Sequence, residues 1–354
     1  MQSDAFTRRR LHSGSPNSYA KSSIMEKQMT SRLEAGQLAT VFGGSGFVGR
    51  HAVRALAKDG WRVRAAVRRP DLAGHLQPMG RVGQIMPIQA NIRYPDSLKS
   101  ALDGANVAIN LVAILAKSGA QTFDKVHIEG ARAVARAARF AGVQRFVHVS
   151  AIGADANSKG DYGRTKALGE AAVLDEFPET IILRPSIIFG PEDQFFNRFA
   201  GLARMSPFLP LIGGGKTRFQ PVFVGDVAAA IAAAASGRAK PGTIYELGGP
   251  DVATFRELLD KTLEWSGRTR MYLRLPFWLA KFGAALTAPL PNSMRPLTVD
   301  QVRMLQSDNV VSKSATEDGR TLAGLGITPQ SMATVVPAYL ERFQRKGQYT
   351  HYRG

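Results

Sequence analysis

The chain has no cysteine among its 354 residues. Disulfides, thiolate metal centres and cysteine nucleophiles are excluded together, and the composition suits a reducing compartment. Acidic residues are scarce: 28 Asp and Glu stand against 46 Lys and Arg, a formal net charge of +18. Such an excess favours polyanionic neighbours, although a solvated basic surface gives the same count. There is no block of about five or six like charges, and no zinc-finger or RNP-type signature, which argues against nucleic acid as a partner. No run of about 18 apolar residues occurs, so no segment reads as a membrane-spanning helix. His51, His75, His148 and His351 share no ligand spacing, so no metal site is expected.

Hydrophobic residues at 44% and charged residues at 21% are ordinary for a globular protein of one large or two modest domains. LATVF at 38–42 is a short apolar run ending at glycines, hence a buried strand. Val48, Ala52, Ala55 and Leu56 at helical spacing predict a helix over 47–57, stopped by Gly60. Further strands are expected over 62–67, 85–89, 107–115 (VAINLVAIL), 145–149 and 180–183, with helices over 123–140 and 162–176. In the first of these helices Phe123, Val126, Gly130, Val134, Ala137 and Ala141 mark the buried face, and Gly142 caps it. This alternation predicts an α/β fold, a Rossmann-type doubly wound parallel sheet covered on both faces.

Beyond 185 the texture changes to short segments rich in Gly and Pro, with an Ala-rich helix over 226–236, a strand at 245–247 and a helix over 254–265. Asp226 reads as the N-cap of the Ala-rich helix, and Gly213–Thr217 as a turn beside the substrate cleft. The expected organisation is a basic, disordered leader over 1–36, then a nucleotide-binding domain over 37–185 to which 222–249 returns. A smaller, partly interleaved substrate or docking lobe covers 186–221 and 250–345, and 346–354 is a tail. The leader is Ser-rich and carries Arg8, Arg9, Arg10 and Lys21 against Asp4. It lacks the apolar core of a secretory signal. A transit peptide, or a true start at Met25 or Met29, are its other readings.

The stretch TVFGGSGFVGRHAVRAL over 40–56 places Gly43, Gly46 and Gly49 between a strand and a helix, with Gly44 extra. That context is what a dinucleotide loop requires. The first glycine serves a tight turn and the second a close approach of backbone amides to a pyrophosphate. The third allows close packing of helix on strand. Gly43, Gly44, Ser45, Gly46, Phe47, Val48 and Gly49 are therefore the expected diphosphate cradle at a helix N-terminus. After the second strand, where an NAD site places an acid, the chain has Arg68 and Arg69, and no acid before Asp71. Guanidinium groups suit a 2′-phosphate and acids repel it, so NADP(H) is expected over NAD(H). A solvated arginine pair is the bland alternative.

Tyr162 and Lys166 form Tyr-x-x-x-Lys at a spacing that puts both on one helix face. A nearby ammonium favours phenolate, so the pair is expected to lower the tyrosine pKa and serve acid–base chemistry.

The order GGSGFVG, FVHVSAIGA, YGRTK and RPSIIFGPED resembles the extended or atypical short-chain dehydrogenase/reductase superfamily. RPSIIFGPEDQFFNRFA, FQPVFVGDVAAAI and LTVDQVRMLQSDNVV are similar to the nucleotide-binding accessory subunits of respiratory complex I, the NADH:ubiquinone oxidoreductase. The resemblance implies coenzyme contacts at Asn91, Val112, Ala113, Ser150, Arg184 and Pro185, with Tyr162 and Lys166 as the catalytic pair of any active member. It also marks departures. Ile152 stands where the catalytic hydroxyl is usual, Ser158 lies elsewhere in that loop, His127 replaces a family asparagine, and Asn91 replaces an acid.

A tightly held NADPH without turnover is what this resemblance implies, in an accessory or assembly subunit bound peripherally on the matrix or cytoplasmic face of an energy-transducing membrane. An active NAD(P)H-dependent reductase or epimerase/dehydratase, with a quinone-related substrate as one case, is the alternative. A soluble NADPH sensor is a third. Between 265 and 303 basic residues alternate with Leu275, Phe277, Trp278, Leu279, Phe282 and Leu286. This suits an anionic membrane interface, a partner groove or the core of a lobe with a basic rim.

Overall fold

The structure is a computed structural model that describes residues 36–287 and 297–344. The leader up to residue 35, the stretch 288–296 and the tail lie outside the described residues.

The chain forms strand β1 (Leu38–Phe42), helix α1 (Phe47–Lys58), β2 (Arg62–Val67), β3 (Ile85–Gln89), α2 (Asp96–Leu102) and β4 (Val107–Asn110). A π-helical turn (Asp124–Gly130) leads into α3 (Ala131–Phe140), followed by β5 (Arg145–Val149), α4 (Asp161–Glu176) and β6 (Ile181–Pro185). The second half contributes α5 (Phe196–Met205), β7 (Phe208–Ile212), α6 (Val224–Ala235), β8 (Ile244–Leu247), α7 (Phe255–Trp265), β9 (Met271–Leu275), α8 (Phe277–Leu286), α9 (Val299–Met304) and α10 (Met332–Leu340).

Seven parallel strands make one sheet in the order β8-β6-β5-β4-β1-β2-β3. Ala39 of β1 sits opposite Val63 on one side and Val107 on the other. The strand order reverses between β1 and β4, and in such sheets the crevice at this point takes the ligand. Central strands buried on both faces are nearly continuous apolar runs, as β1 and β4 are apart from the buried Thr40 and Asn110. Alternate residues feed two cores. Val41 and Ile109 pack with Ala52, Val53 and Leu56 of α1 and Val227 and Ile231 of α6. Phe42 and Ala108 pack on the other face with Leu98 of α2, Val134 and Ala138 of α3 and Val173 of α4. The second half buries a separate aromatic cluster that includes Phe189, Phe196, Phe219, Phe255 and Val336.

Three local expectations are corrected. The run over 107–115 is a strand only to Asn110, because the Asn110 side chain accepts from the Val112 N–H (3.1 Å) and turns the chain across the strand ends. The helix over 123–140 opens with π-type bonding, which shifts the helical phase. Ala135 and Ala138 are buried in consequence, Ala137 is half-buried and Ala141 is exposed. Asp226 is not an N-cap. Helix α6 begins at Val224 after Phe223, and the Asp226 carboxylate accepts from the Gln330 N–H (2.8 Å), tying down the approach to α10.

Candidate functional site

After β1 the backbone turns at Gly43, whose φ of +82° suits glycine. The Gly43 N–H donates to the Ala66 carbonyl at the end of β2, and its own carbonyl accepts from Gly46 N–H, both at 3.0 Å. Helix α1 then starts with Gly46 as N-cap, no side-chain cap and no acid in its first turn. The Phe47, Val48 and Gly49 N–H groups have no carbonyl one turn earlier in the helix. They present donors and a partial positive charge to an anion. Gly49 is dictated by packing: a Cβ there would lie 2.1 Å from the Gly43 oxygen.

Above this turn a cleft of about 250 Å³ opens at the C-terminal edge of the sheet. Gly43, Ser45 and Gly46 form its floor, with Arg68 after β2, Asn91 after β3, and Val112 and Ala113 after β4 as walls. These expected residues are brought together. Gly44 lies behind the floor, where a Cβ would approach Ala65 Cβ at 3.0 Å. Asn91 spends its side-chain oxygen on the Arg93 N–H (3.2 Å). Among the described residues the charged groups on the cleft wall are Arg68 and Arg93, with no carboxylate beside them.

The expected arginine pair is split. Arg68 Nη1 donates to Gln121 Oε1 at 2.8 Å, whereas Arg69 turns outward to Asp71 at 3.0 Å, both partners exposed. Successive residues leaving a strand point to opposite sides, so one of the two had to face away. Arg184 and Pro185 are likewise elsewhere. Arg184 forks onto Glu170 of α4 (2.9 and 2.5 Å), and Pro185 closes the β6–β8 ladder. Ser150 does not line the cleft. Its N–H is bonded to the Leu183 carbonyl, and its buried hydroxyl has no hydrogen-bond partner among the described residues.

Tyr162 and Lys166 share the inner face of α4, but their chemistry departs from expectation. Burial, aided by the negative Asp300, pushes the Tyr162 phenol up to about 12. Burial drives Lys166 down to about 8, with Glu170 partly opposing, and its Nζ donates to the Val149 carbonyl at 2.8 Å. The expected lowering of the tyrosine pKa is therefore overturned: burial and the negative Asp300 both disfavour the phenolate. His127 lies edge-on to the Tyr162 ring, with centroids 5.4 Å apart. Its Nε2 accepts from the Ile114 N–H (3.1 Å), so the proton sits on Nδ1, which bonds Thr165 Oγ1 at 3.0 Å. Burial and Lys166 hold His127 down to about 3. Ile152 is buried, its N–H on Pro185 and its carbonyl on Asn309, while Ser158 Oγ accepts from the Gly160 N–H (3.2 Å) ahead of α4. No hydroxyl is thereby supplied at the usual catalytic position.

Two further residues, Asp300 and Asn309, both in the segment LTVDQVRMLQSDNVV, hold the site together in roles that the sequence did not suggest. Asp300 accepts from the N–H groups of Asp161 (2.6 Å) and Tyr162 (2.9 Å), capping α4 from α9. Asn309 accepts from Ser186 Oγ (2.7 Å) and Ile187 N–H (3.1 Å) and donates to Ile152 (2.9 Å). No local signal singles out a long-range cap.

The NAD(P)H-binding family matches residues 43–179, which span the cleft, and the 3-beta hydroxysteroid dehydrogenase/isomerase family matches residues 154–249. The chain is 37% identical over 324 residues to NADH dehydrogenase (ubiquinone) 1 alpha subcomplex subunit 9, mitochondrial, of Arabidopsis thaliana, covering 88% of this chain and 79% of the relative. The chain belongs to the subunit 9 family. A mouse member of the subunit 9 family is 35% identical over 303 residues, covering 83% of this chain and 77% of the relative. The subunit 9 fold also matches an Escherichia coli NADPH-dependent quinone oxidoreductase solved with NADPH, at a TM-score of 0.66 and 23% identity over 85% of this chain and 99% of that one. In this chain the glycine-rich loop thus sits on a Rossmann-type sheet that also carries a Tyr-x-x-x-Lys pair on α4.

Proposed function

We propose that the chain holds NADP(H) as a structural ligand and serves as a non-catalytic accessory subunit of NADH:ubiquinone oxidoreductase, respiratory complex I. The carrying observation is the acid-free cleft: Arg68 stands where an NAD site needs a carboxylate, above the uncapped N-terminus of α1. When bound, the coenzyme would supply hydride chemistry; this chain's residues supply the cradle for its phosphates. Gly43 to Gly49 would hold the diphosphate, and Arg68 the 2′-phosphate.

The proton machinery supports holding over turnover. A general acid works best with a pKa near ambient pH. Tyr162 is moved away from it, Ile152 offers no hydroxyl, and Lys166 is engaged with a backbone carbonyl. The reductase reading keeps only the shared helix face of Tyr162 and Lys166.

Membership of a larger assembly follows the names of the relatives, and peripheral attachment to its membrane face is supported by α8. Trp278, Phe282 and Leu286 recur every four residues on its exposed side, next to exposed Arg274. An apolar stripe with basic neighbours on a chain of net charge +18 suits an anionic lipid surface. Among the described residues no helix is long and apolar enough to cross a membrane.

The test is purification from native membranes in low salt. Co-purification with complex I subunits and one NADP(H) per chain is expected. Recovery as a free protein without nucleotide, or with NADH bound more tightly than NADPH, overturns the reading. Steady oxidation of bound NADPH by offered quinones would favour the reductase instead.

A further inference from the structure

The cleft has a fourth wall that the dinucleotide motif does not account for. Between β4 and the π-helical turn, the chain makes a short strap in which Ser118 and Gln121 exchange backbone hydrogen bonds (3.1 and 3.0 Å). Two arginines reach this strap from different loops. Arg68, after β2, donates to the Gln121 side-chain oxygen at 2.8 Å. Arg93, after β3, donates to the Ala120 carbonyl at 3.4 Å and stacks over the Tyr94 ring at 5.7 Å. Arg68, Arg93 and Gln121 all line the same cavity as the glycine turn. Both guanidinium groups are bonded there to neutral oxygens, and among the described residues no carboxylate joins them on the cavity wall.

We infer that Gln121 and Arg93 complete, with Arg68, a three-residue site for the 2′-phosphate of NADP(H). The inference rests on the NADP(H) reading and deepens it. A guanidinium has five N–H donors in a fixed plane. Gln121 occupies one of those of Arg68 and so fixes the plane, leaving the rest of the fork for a phosphate. A neutral amide does this without adding charge. A carboxylate at 121 would neutralise the arginine and repel the ligand. The amide can also offer its own N–H to a phosphate oxygen. Arg93 supplies the second cation, braced by Ala120 and Tyr94 rather than by an acid, so its charge is not cancelled locally. Arg69, the neighbour that the sequence suggests for this role, is cancelled by Asp71.

The experiment uses the full chain freed of nucleotide, with calorimetric titration of NADPH, NADH, 2′,5′-ADP and 5′-AMP. The variants are Gln121→Glu, Arg93→Gln, Arg93→Lys and Arg68→Gln, each checked for an unchanged melting curve without ligand. Gln121→Glu, which sets a repelling carboxylate beside Arg68, and Arg93→Gln, which removes one charge-assisted contact, should each weaken NADPH and 2′,5′-ADP about tenfold. NADH and 5′-AMP should change less than about twofold, and Arg93→Lys should recover part of the loss. If Arg68→Gln weakens NADPH selectively while the 93 and 121 variants do not, the three-residue site is wrong and the NADP(H) reading stands. If the unmodified chain binds NADH as tightly as NADPH, the reading falls and the site with it. Equal weakening of all four ligands by Arg93→Gln and Arg93→Lys would also overturn it, since Arg93 would then only brace the strap.

Discussion

Lys166 carries its ammonium into the protein, where it donates to the Val149 carbonyl and only Glu170 partly offsets the loss of solvent, and the consequence is measurable. Its folded pKa, about 8, lies below the ordinary 10.5. The unfolded chain therefore binds more protons between those values, and stability rises with pH across that window. Chemical denaturation of the parent and of Lys166→Met should diverge in the parent's favour as pH climbs from 8 to 10.5, by up to about 3 kcal/mol at 1.36 kcal/mol per unit. A flat difference would mean that the amine is solvated. His127 gives the mirror test in acid. Its folded pKa of about 3 lies below 6.5, so the unfolded state takes up the proton first and stability is lost as pH falls through that interval. His127→Asn, which cannot titrate, should remove this component from the acid-denaturation profile. Residue type and spacing point to these side chains but not to the raised Tyr162 pKa, which depends on solvent access and on Asp300, arriving from 138 residues away in the chain.

At the scale of elements, the segment around α9 is a clamp. Asp300 satisfies two of the N–H groups that any helix leaves orphaned at its start, and those two belong to the helix that carries Tyr162 and Lys166. Asp300→Ala should cost about 1–2 kcal/mol, as lost caps do. It should also lower the Tyr162 phenol pKa, read as the ultraviolet difference titration between Asp300→Ala with and without Tyr162→Phe. Asn309 bonds three loop positions at the end of the β5–β6 region, and its replacement by Leu should cost more, since buried donors and acceptors are left unpaired at roughly 1–3 kcal/mol each. The strands of the sheet and helices α1, α3 and α4 were legible because each buries a regular stripe, with β1 to β3 found to the residue, whereas the short α2 was not expected. The π-helical turn and the early end of β4 were not: the first shifts the backbone bonding register inside an otherwise regular stripe, and the second is set by the Asn110 side chain accepting from the Val112 N–H, neither of which leaves a periodic trace.

For the whole molecule, ligand and fold are linked. A coenzyme that binds only the folded chain stabilises it by about 2.7 kcal/mol at a hundredfold excess over Kd. The cleft gathers the ends of β1 to β4 and the start of α1, so occupancy holds together loops that belong to separate crossovers. For a domain of this size the gain should appear as a rise in melting temperature of roughly 5 °C. NADPH should raise it at lower concentration than NADH, because only NADPH carries the group that Arg68 is placed to bind. In Arg68→Gln the two coenzymes should become equivalent through loss of the NADPH advantage, while the NADH response stays in place, since the diphosphate cradle at Gly43 to Gly49 is untouched. Substituting Gly49 instead should abolish both responses, because a Cβ 2.1 Å from the Gly43 oxygen forces the turn apart. The pair of variants separates the cradle from the discriminating group: a chain in which Arg68→Gln lost both responses alike would be using that arginine for the fold and not for choosing its nucleotide.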